Sequence, residues 1–236
     1  MLISVVIPAY NEEKYIKETL LSLKNQSAHG FDFEIIVVDS SSTDKTAEIA
    51  TEMGAGIISV PKINPGFARQ KGVEKAKGEI IACIDADSSA DSKWLINIVN
   101  HFKNENIVGL TGKVLSRDKS VIFTLFYLFF TPVFYKLNFL LGKTIFQGQN
   151  FAVKKDAFLK IGGFTNGIIS AEDADLGNRL SSCGRVIYAQ DVLVRTSARR
   201  LGEGSKIAVR WPMAYLKLVW GIDTGNYEKV DFPSIR

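Results

Sequence analysis

Apolar runs alternate with amphipathic stretches through the first hundred residues. LISVVI opens the series, and FEIIVVD, GIISVP and EIIACID follow, each a short Val/Ile-rich run closed by Pro or Asp. Continuous apolar runs of this length read as strands buried on both faces, not as strands with one wet side. The segments between them have helical period. In EEKYIKETLLSLKNQ, Ile16, Leu20 and Leu23 share one face. SSSTDKTAEIATEMG offers Ser, Thr and Asp as caps and Gly54 as a stop, PGFARQKGVEKAKG runs to Gly78, and SKWLINIVNHF follows Asp91. Strand followed by helix, repeated, predicts an α/β fold: a mostly parallel central sheet with helices on both faces. In open sheets of this kind ligands bind outside the carboxyl ends of the strands. Pro8 to Glu12, Asp39 and the Asp85–Asp87 stretch all fall at such ends.

Composition narrows the class. The chain has 236 residues, 46% of them hydrophobic, which suits one large domain with a sizeable core. A net charge of +4 fits an anionic ligand or a membrane surface and is too mild for a nucleic-acid binder. Cys83 and Cys183 form no CxxC and no framework, so they read as free thiols of a reducing, cytoplasmic setting. The opening MLISVVIPAY has no basic region before its apolar run and reads as a first strand, not a leader.

IIACIDADSSAD drives a buried strand straight into Asp85 and Asp87. Two carboxylates so close repel, which asks for something positive between them; an ordinary acidic turn is the plainer alternative. No G-x-G-x-x-G follows the first strand and no G-x-x-x-x-G-K-[ST] occurs, so a phosphorylated ligand would need its charge met another way. Mg²⁺ or Mn²⁺ held by Asp85 and Asp87 would meet it, since both take one or two carboxylates plus substrate phosphates and water. Farther on, AEDADLGNRLSSCG predicts a helix with Leu176 and Leu180 on one face, Gly184 as its stop, and Glu172 and Asp173 in its first turn. The dipole there favours ionised carboxylates, as a general base requires, and equally suits acids that merely favour a helix start.

VVIPAYNEE, IIVVDSSSTDKT, GFARQKG, IIACIDAD and GGF…AEDADLGNRL, in that order, resemble the family-2 inverting glycosyltransferases of the A-type nucleotide-sugar fold. The resemblance covers roughly Met1 to Arg200. It implies a nucleotide-binding half over 1–100 and an acceptor and catalytic half over 101–200, with 201–236 as an extension. Pro8, Tyr10 and Glu12 would line base and ribose, and Asp39 would accept from the base. Arg69, with Lys71 near it, would lie close to base or phosphate. Asp87 would ligate the cation, and Asp85 would face the ribose or the metal's water shell. Asp173 would be the base and Glu172 its positioning neighbour. Arg199 and Arg200 are diphosphate candidates, with a solvated basic surface as the alternative. The donor implied is a UDP- or GDP-sugar.

Processive relatives carry Q-x-x-R-W; here Arg210 and Trp211 stand without a matching Gln, which argues against a polymer-making synthase. VIFTLFYLFFTPVFYKLNFLL, Val121 to Leu141, is apolar all round and interrupted by Pro132, Lys136 and Asn138. A crossing there would put Asp87 and Asp173 on opposite sides of a bilayer, so it reads as a broken helix at the membrane interface, a dimer contact or a buried core element. Interfacial contact would suit a lipid acceptor such as a polyprenyl phosphate. Two other functions compete. A nucleotidyltransferase would want a glycine- and basic-rich loop where PAYNEE stands, and a non-catalytic scaffold would have no use for Asp87 and Asp173 together.

Overall fold

A computed structural model of the chain describes residues 1–28, 30–117, 124–165, 167–168, 171–197 and 220–221, with Phe126 as backbone only. The strands are β1 (Leu2–Ala9), β2 (Asp32–Asp39), β3 (Gly56–Ser59), β4 (Ile80–Ile84), β5 (Ser88–Ala90), β6 (Ile107–Ser116), β7 (Asn150–Lys154) and β8 (Arg185–Thr196). They form one sheet in the order β3-β2-β1-β4-β7-β6-β8-β5. β1 runs parallel to β2 and β4, β2 to β3, and β6 to β8. β7 runs antiparallel to both β4 and β6, and β5 to β8, so the sheet is mostly parallel with an antiparallel strand set into its middle.

The helices are α1 (Ile16–Lys24), α2 (Thr46–Glu52), α3 (Pro65–Lys75), α4 (Trp94–Phe102), α5 (Thr131–Leu140), α6 (Lys155–Lys160) and α7 (Glu172–Leu180). Alternation along β1 assigns the two faces. Ile3, Val5 and Ile7 pack with Ile16, Leu20 and Leu23 of α1 and Trp94, Leu95 and Ile98 of α4. Val6 points the other way, into a core shared with Ala68 and Val73 of α3, Phe158 of α6 and Leu176 and Leu180 of α7. Period 2 in the strand and period 3.6 in the helices place both faces of the sheet under cover.

Three local expectations need correcting. Pro8 does not end β1: Pro8 pairs with Val38 and Ala9 with Asp39. A proline is tolerated there because β4 pairs only with Ile3 to Val6, leaving that flank of β1 open beyond Val6. Gly78 is no helix stop, since α3 ends at Lys75; a Cβ on Gly78 would lie 2.6 Å from the Ser4 backbone nitrogen, so the position demands glycine for close approach. Gly184 likewise falls after α7, which ends at Leu180, and a Cβ on it would sit 2.6 Å from Val108. The helix expected within 121–141 is interrupted by a π turn, Phe126–Phe130, placed just before Pro132; residues 121–123 lie outside the described residues. The wider turn sits where proline has no N–H to give the preceding turn. No helix among the described residues is long and apolar enough to cross a membrane. Of the extension at 201–236, only Trp220 and Gly221 are described.

Candidate active site

β1 and β4 part company where their ladder stops, and the helix after β1 (α1) and the helix before β4 (α3) lie on opposite faces. That is the switch point of the sheet, where ligands of such folds bind. Four polypeptide segments meet there: the end of β1, the end of β4, helix α3, and the first turn of α7.

Arg69 is the centre of the cluster. It sits on α3 and is 3% exposed. Its Nη2 donates to Asp85 Oδ1 at 2.7 Å and its Nη1 to Glu172 Oε1 at 3.3 Å. The guanidinium therefore joins the end of β4 to the start of α7, and its bond to Glu172 spans 103 residues of sequence. Asn64 starts α3 by accepting the Phe67 N–H at 2.7 Å, and Pro65 fills the first turn, where its missing N–H costs nothing. Gly66 lets α3 approach α7, since a Cβ there would lie 2.8 Å from Glu172 Cγ.

Asp173 is beside this pair. Its Oδ2 accepts the Gly148 N–H at 2.7 Å and its Oδ1 the Ala174 N–H at 2.9 Å. Gly148 allows this approach: a Cβ would stand 3.1 Å from both Arg69 Nη2 and Asp173 Oδ2. Ala171, just before α7, is buried in a left-handed conformation, φ 60°. An alanine held there is strained by about 1 kcal/mol or more, and it turns the chain so that two consecutive acids enter the site.

Burial dominates the electrostatics. The Glu172 carboxyl is pushed up to about 7 by desolvation and then by the charge of Asp173, with Arg69 pulling the other way. Asp173 is also raised by burial, against the opposing effect of Arg69 and of the Gly148 and Ala174 N–H donors. The sequence led us to expect the helix start to favour ionised acids; desolvation of two adjacent carboxyls outweighs it. Both carboxyls are therefore harder to ionise than they would be in water. Cys83, buried below Asp85 on β4, is held as a thiol, pushed up to about 12.

The other expected residues divide. Asp39 is buried at the end of β2 and accepts the Ser42 N–H at 3.2 Å, while Asp44, not Asp39, bonds Thr46 at the start of α2. Tyr10 is half-buried beyond β1, with Lys62 Nζ 3.8 Å over its ring. Glu12 is buried, and its N–H donates to Thr46 Oγ1 at 2.7 Å. Lys71 faces solvent and pairs with Glu74, away from the cluster. Asp87 is 2% exposed, and its carbonyl accepts the Ser197 N–H at 3.4 Å. Ser88 Oγ donates to Thr196 Oγ1 at 2.9 Å, so β5 ties the acidic turn to the end of β8. Arg199 and Arg200 lie outside the described residues.

A divalent cation can be tested against this donor set. Among the described residues no group of three or more metal-binding side chains gathers. Two carboxylates at one strand end nevertheless fit Mg²⁺ or Mn²⁺, which complete their shells with phosphate and water. Arg69 engages Oδ1 of Asp85, so a cation taken by Asp85 would share that carboxylate with the guanidinium.

The resemblance marks GQNFAVKKDAFLKIGGF as the segment that shapes the sugar and acceptor pocket, but sequence reasoning gave no individual role to Gly148, Asn150 or the preceding Gln147, and none to Ala171. Asn150 is fully buried, accepting from Trp94 Nε1 and donating to the carbonyls of Lys113 and Val192, each at 2.9 Å. Gln147 donates to the Gly112 carbonyl at 3.0 Å. Two amides at the mouth of an otherwise apolar run were the available signal. They lock β7 and its preceding turn, and with it the N–H that holds Asp173.

The fold and these motifs define a glycosyltransferase-type nucleotide-sugar fold, and the comparisons agree. Residues 4–162 match the sequence model of the family described as Glycosyl transferase family 2. The chain belongs to that family. Glycosyltransferase AglE of Haloferax volcanii is 27% identical over 236 residues, covering 97% of this chain and 77% of its own length. Other curated relatives are much longer, and the chain spans only 19% or 18% of three of them. Among solved structures, S. aureus TarS 1–349 in complex with UDP-GlcNAc superposes with a TM-score of 0.69 at 22% identity, over 92% of this chain and 64% of that one. Mannosyltransferase PcManGT from Pyrobaculum calidifontis, in complex with GDP-Man and Mn²⁺, gives 0.66 at 20% identity, over 92% and 61%. At these identities the structural likeness supports the fold.

Proposed function

We propose that the chain is a metal-dependent, inverting and non-processive glycosyltransferase acting from the cytoplasm on a UDP- or GDP-sugar. The observation that carries this reading is the Arg69 bridge, which brings Asp85 and Glu172 into one buried cluster with Asp173 alongside. Pro8, Tyr10, Glu12 and Asp39 hold base and ribose in the crevice beside β1, with Arg199 and Arg200 near the diphosphate.

Asp87, with Asp85, would hold the cation. When bound, the cation supplies charge neutralisation to the leaving diphosphate. Asp173 takes the proton of the acceptor hydroxyl as that oxygen attacks the anomeric carbon from the far side. The new C–O bond forms as the bond to the diphosphate breaks, and the electron pair leaves with the nucleoside diphosphate. Glu172 and the Gly148 N–H position Asp173, while Arg69 keeps the acids from repelling one another out of place. Neighbours whose complexes contain UDP-GlcNAc, or GDP-Man with Mn²⁺, support the donor class and the metal. The acceptor is a hydroxyl or a lipid phosphate such as a polyprenyl phosphate, the latter in keeping with apolar side chains exposed along 124–141.

Donor binding and turnover of Asp173→Asn test the reading. Binding kept with turnover lost supports it; full turnover in that variant removes Asp173 as the base.

A further inference from the structure

Helix α5 and the π turn before it expose an apolar face unlike any other part of the described surface. Phe129, Phe130, Val133, Leu137 and Leu140 are 52–83% exposed. Eight of the thirteen exposed large hydrophobics among the described residues lie between Leu125 and Leu141, whereas the rest fall singly or beside this face. A contiguous apolar patch of this kind marks an interaction surface.

Charge says what covers it. No Asp or Glu occurs between Asp118 and Asp156, so the apolar helix sits in an acid-free stretch. Lys136 and Arg185, with Phe139, Val186, Ile187 and Tyr188, line an open groove of about 380 Å³ beside the helix. Neither cation is in an ion pair among the described residues. Past the end of α5, Lys143 Nζ lies 5.3 Å over the ring of Trp220, which is itself exposed. Apolar side chains flanked by lysine, arginine and an exposed tryptophan have the make-up of a helix lying in a bilayer interface. A second copy of the chain fits less well. A symmetric contact packs a patch on itself, and would bring Lys136 and Arg185 towards their own copies with no acid of this stretch to meet them.

We propose that this face docks on a membrane carrying anionic phospholipids: the apolar side chains enter the acyl boundary, and Lys136 and Arg185 take headgroup phosphate between them. The placement ties the membrane to the site. Tyr135 of α5 packs in one small core with Ile145 and with Ala171 and Ala174, the residues on either side of Glu172 and Asp173. Tyr135 also stacks on Tyr188 of the groove, with ring centroids 5.8 Å apart. The docked helix thus holds the start of α7 at a fixed height over the lipid surface, open to an acceptor presented from that surface.

The test is flotation of the full chain with vesicles of phosphatidylcholine alone or with phosphatidylglycerol added. Vesicle binding needs no turnover, so its outcome is independent of the transferase reading. Wild-type protein is expected to float with the anionic vesicles and to be released by salt. Leu137→Glu with Leu140→Glu should abolish flotation. Lys136→Ala with Arg185→Ala should weaken it about twenty-five-fold, since each cation near an anionic surface is worth about fivefold. Leu140→Glu alone, at the most exposed position, keeps the test readable if the double variant folds poorly. Wild-type protein that ignores anionic vesicles overturns the proposal. So does flotation unaffected by the leucine substitutions, or equal flotation with and without phosphatidylglycerol. A dimer abolished by Leu140→Glu, in a chain that does not float, would instead assign the face to a second copy.

Discussion

Arg69 shows how much one side chain can carry. It is buried between carboxylates that would otherwise repel, and its pairing is what makes three adjacent acids tolerable. Removing one partner of a buried ion cluster leaves uncompensated charge, at a cost of about 3 kcal/mol or more. Arg69→Ala should therefore lose about that much stability at pH 8, measured by urea unfolding. The loss should shrink at pH 5, where Glu172 carries its proton in either protein. Glu172 itself has a pH signature. Its carboxyl titrates near 7 in the fold against 4.5 ordinarily, so between those values the native state binds more protons than the unfolded chain. Stability must then fall as pH rises from about 4.5 through 7. Glu172→Gln should remove that dependence and gain on the order of 2 kcal/mol at pH 8. The acids themselves were legible in the sequence, from their place at a strand end and a helix start. Their pairing through Arg69 was not, because nothing local relates residues 69 and 172.

Elements were legible where a local pattern sufficed. β1 to β4 and α1 to α4 each follow from an apolar run or an amphipathic stretch, and the structure keeps all eight. β6, β7 and β8 escaped the sequence reading because their patterns are mixed: β6 carries two glycines, β7 begins with a buried Asn, and β8 alternates irregularly through a break in register with β6. Their identity as strands comes from long-range pairing. The short turn into α7 was hidden for a related reason. A left-handed alanine gives no compositional sign. Ala171→Gly should be neutral or stabilising, within about 1 kcal/mol, because glycine adopts φ 60° without strain. Ala171→Val should cost more than about 2 kcal/mol, since β-branching makes that conformation worse. Thermal unfolding of the two variants separates strain from a simple packing defect, which would make glycine the worse of the two. Gly148→Ala belongs at this scale too. Its Cβ would press on Asp173 and Arg69 at 3.1 Å, so turnover should fall at least tenfold while the melting temperature moves little.

At the scale of the whole molecule, one sheet runs through both halves of the chain, and the site lies where β1 and β4 separate. The first half brings Asp39, Arg69, Asp85 and Asp87 to that crevice, and the second closes it with the Gly148 turn and α7. Asp87 is anchored to the end of β8 through Ser197, two residues before Arg199. The measurement that tests the central claim most directly is nucleoside-diphosphate release from UDP-, GDP- and dTDP-sugars with Mn²⁺ or Mg²⁺, with and without chelator. Membrane extract would supply the acceptor, and wild type would be set beside Asp173→Asn. The account predicts release from one donor, lost with chelator and lost in Asp173→Asn, which still binds that donor. Full release in chelator, or in Asp173→Asn, would contradict it.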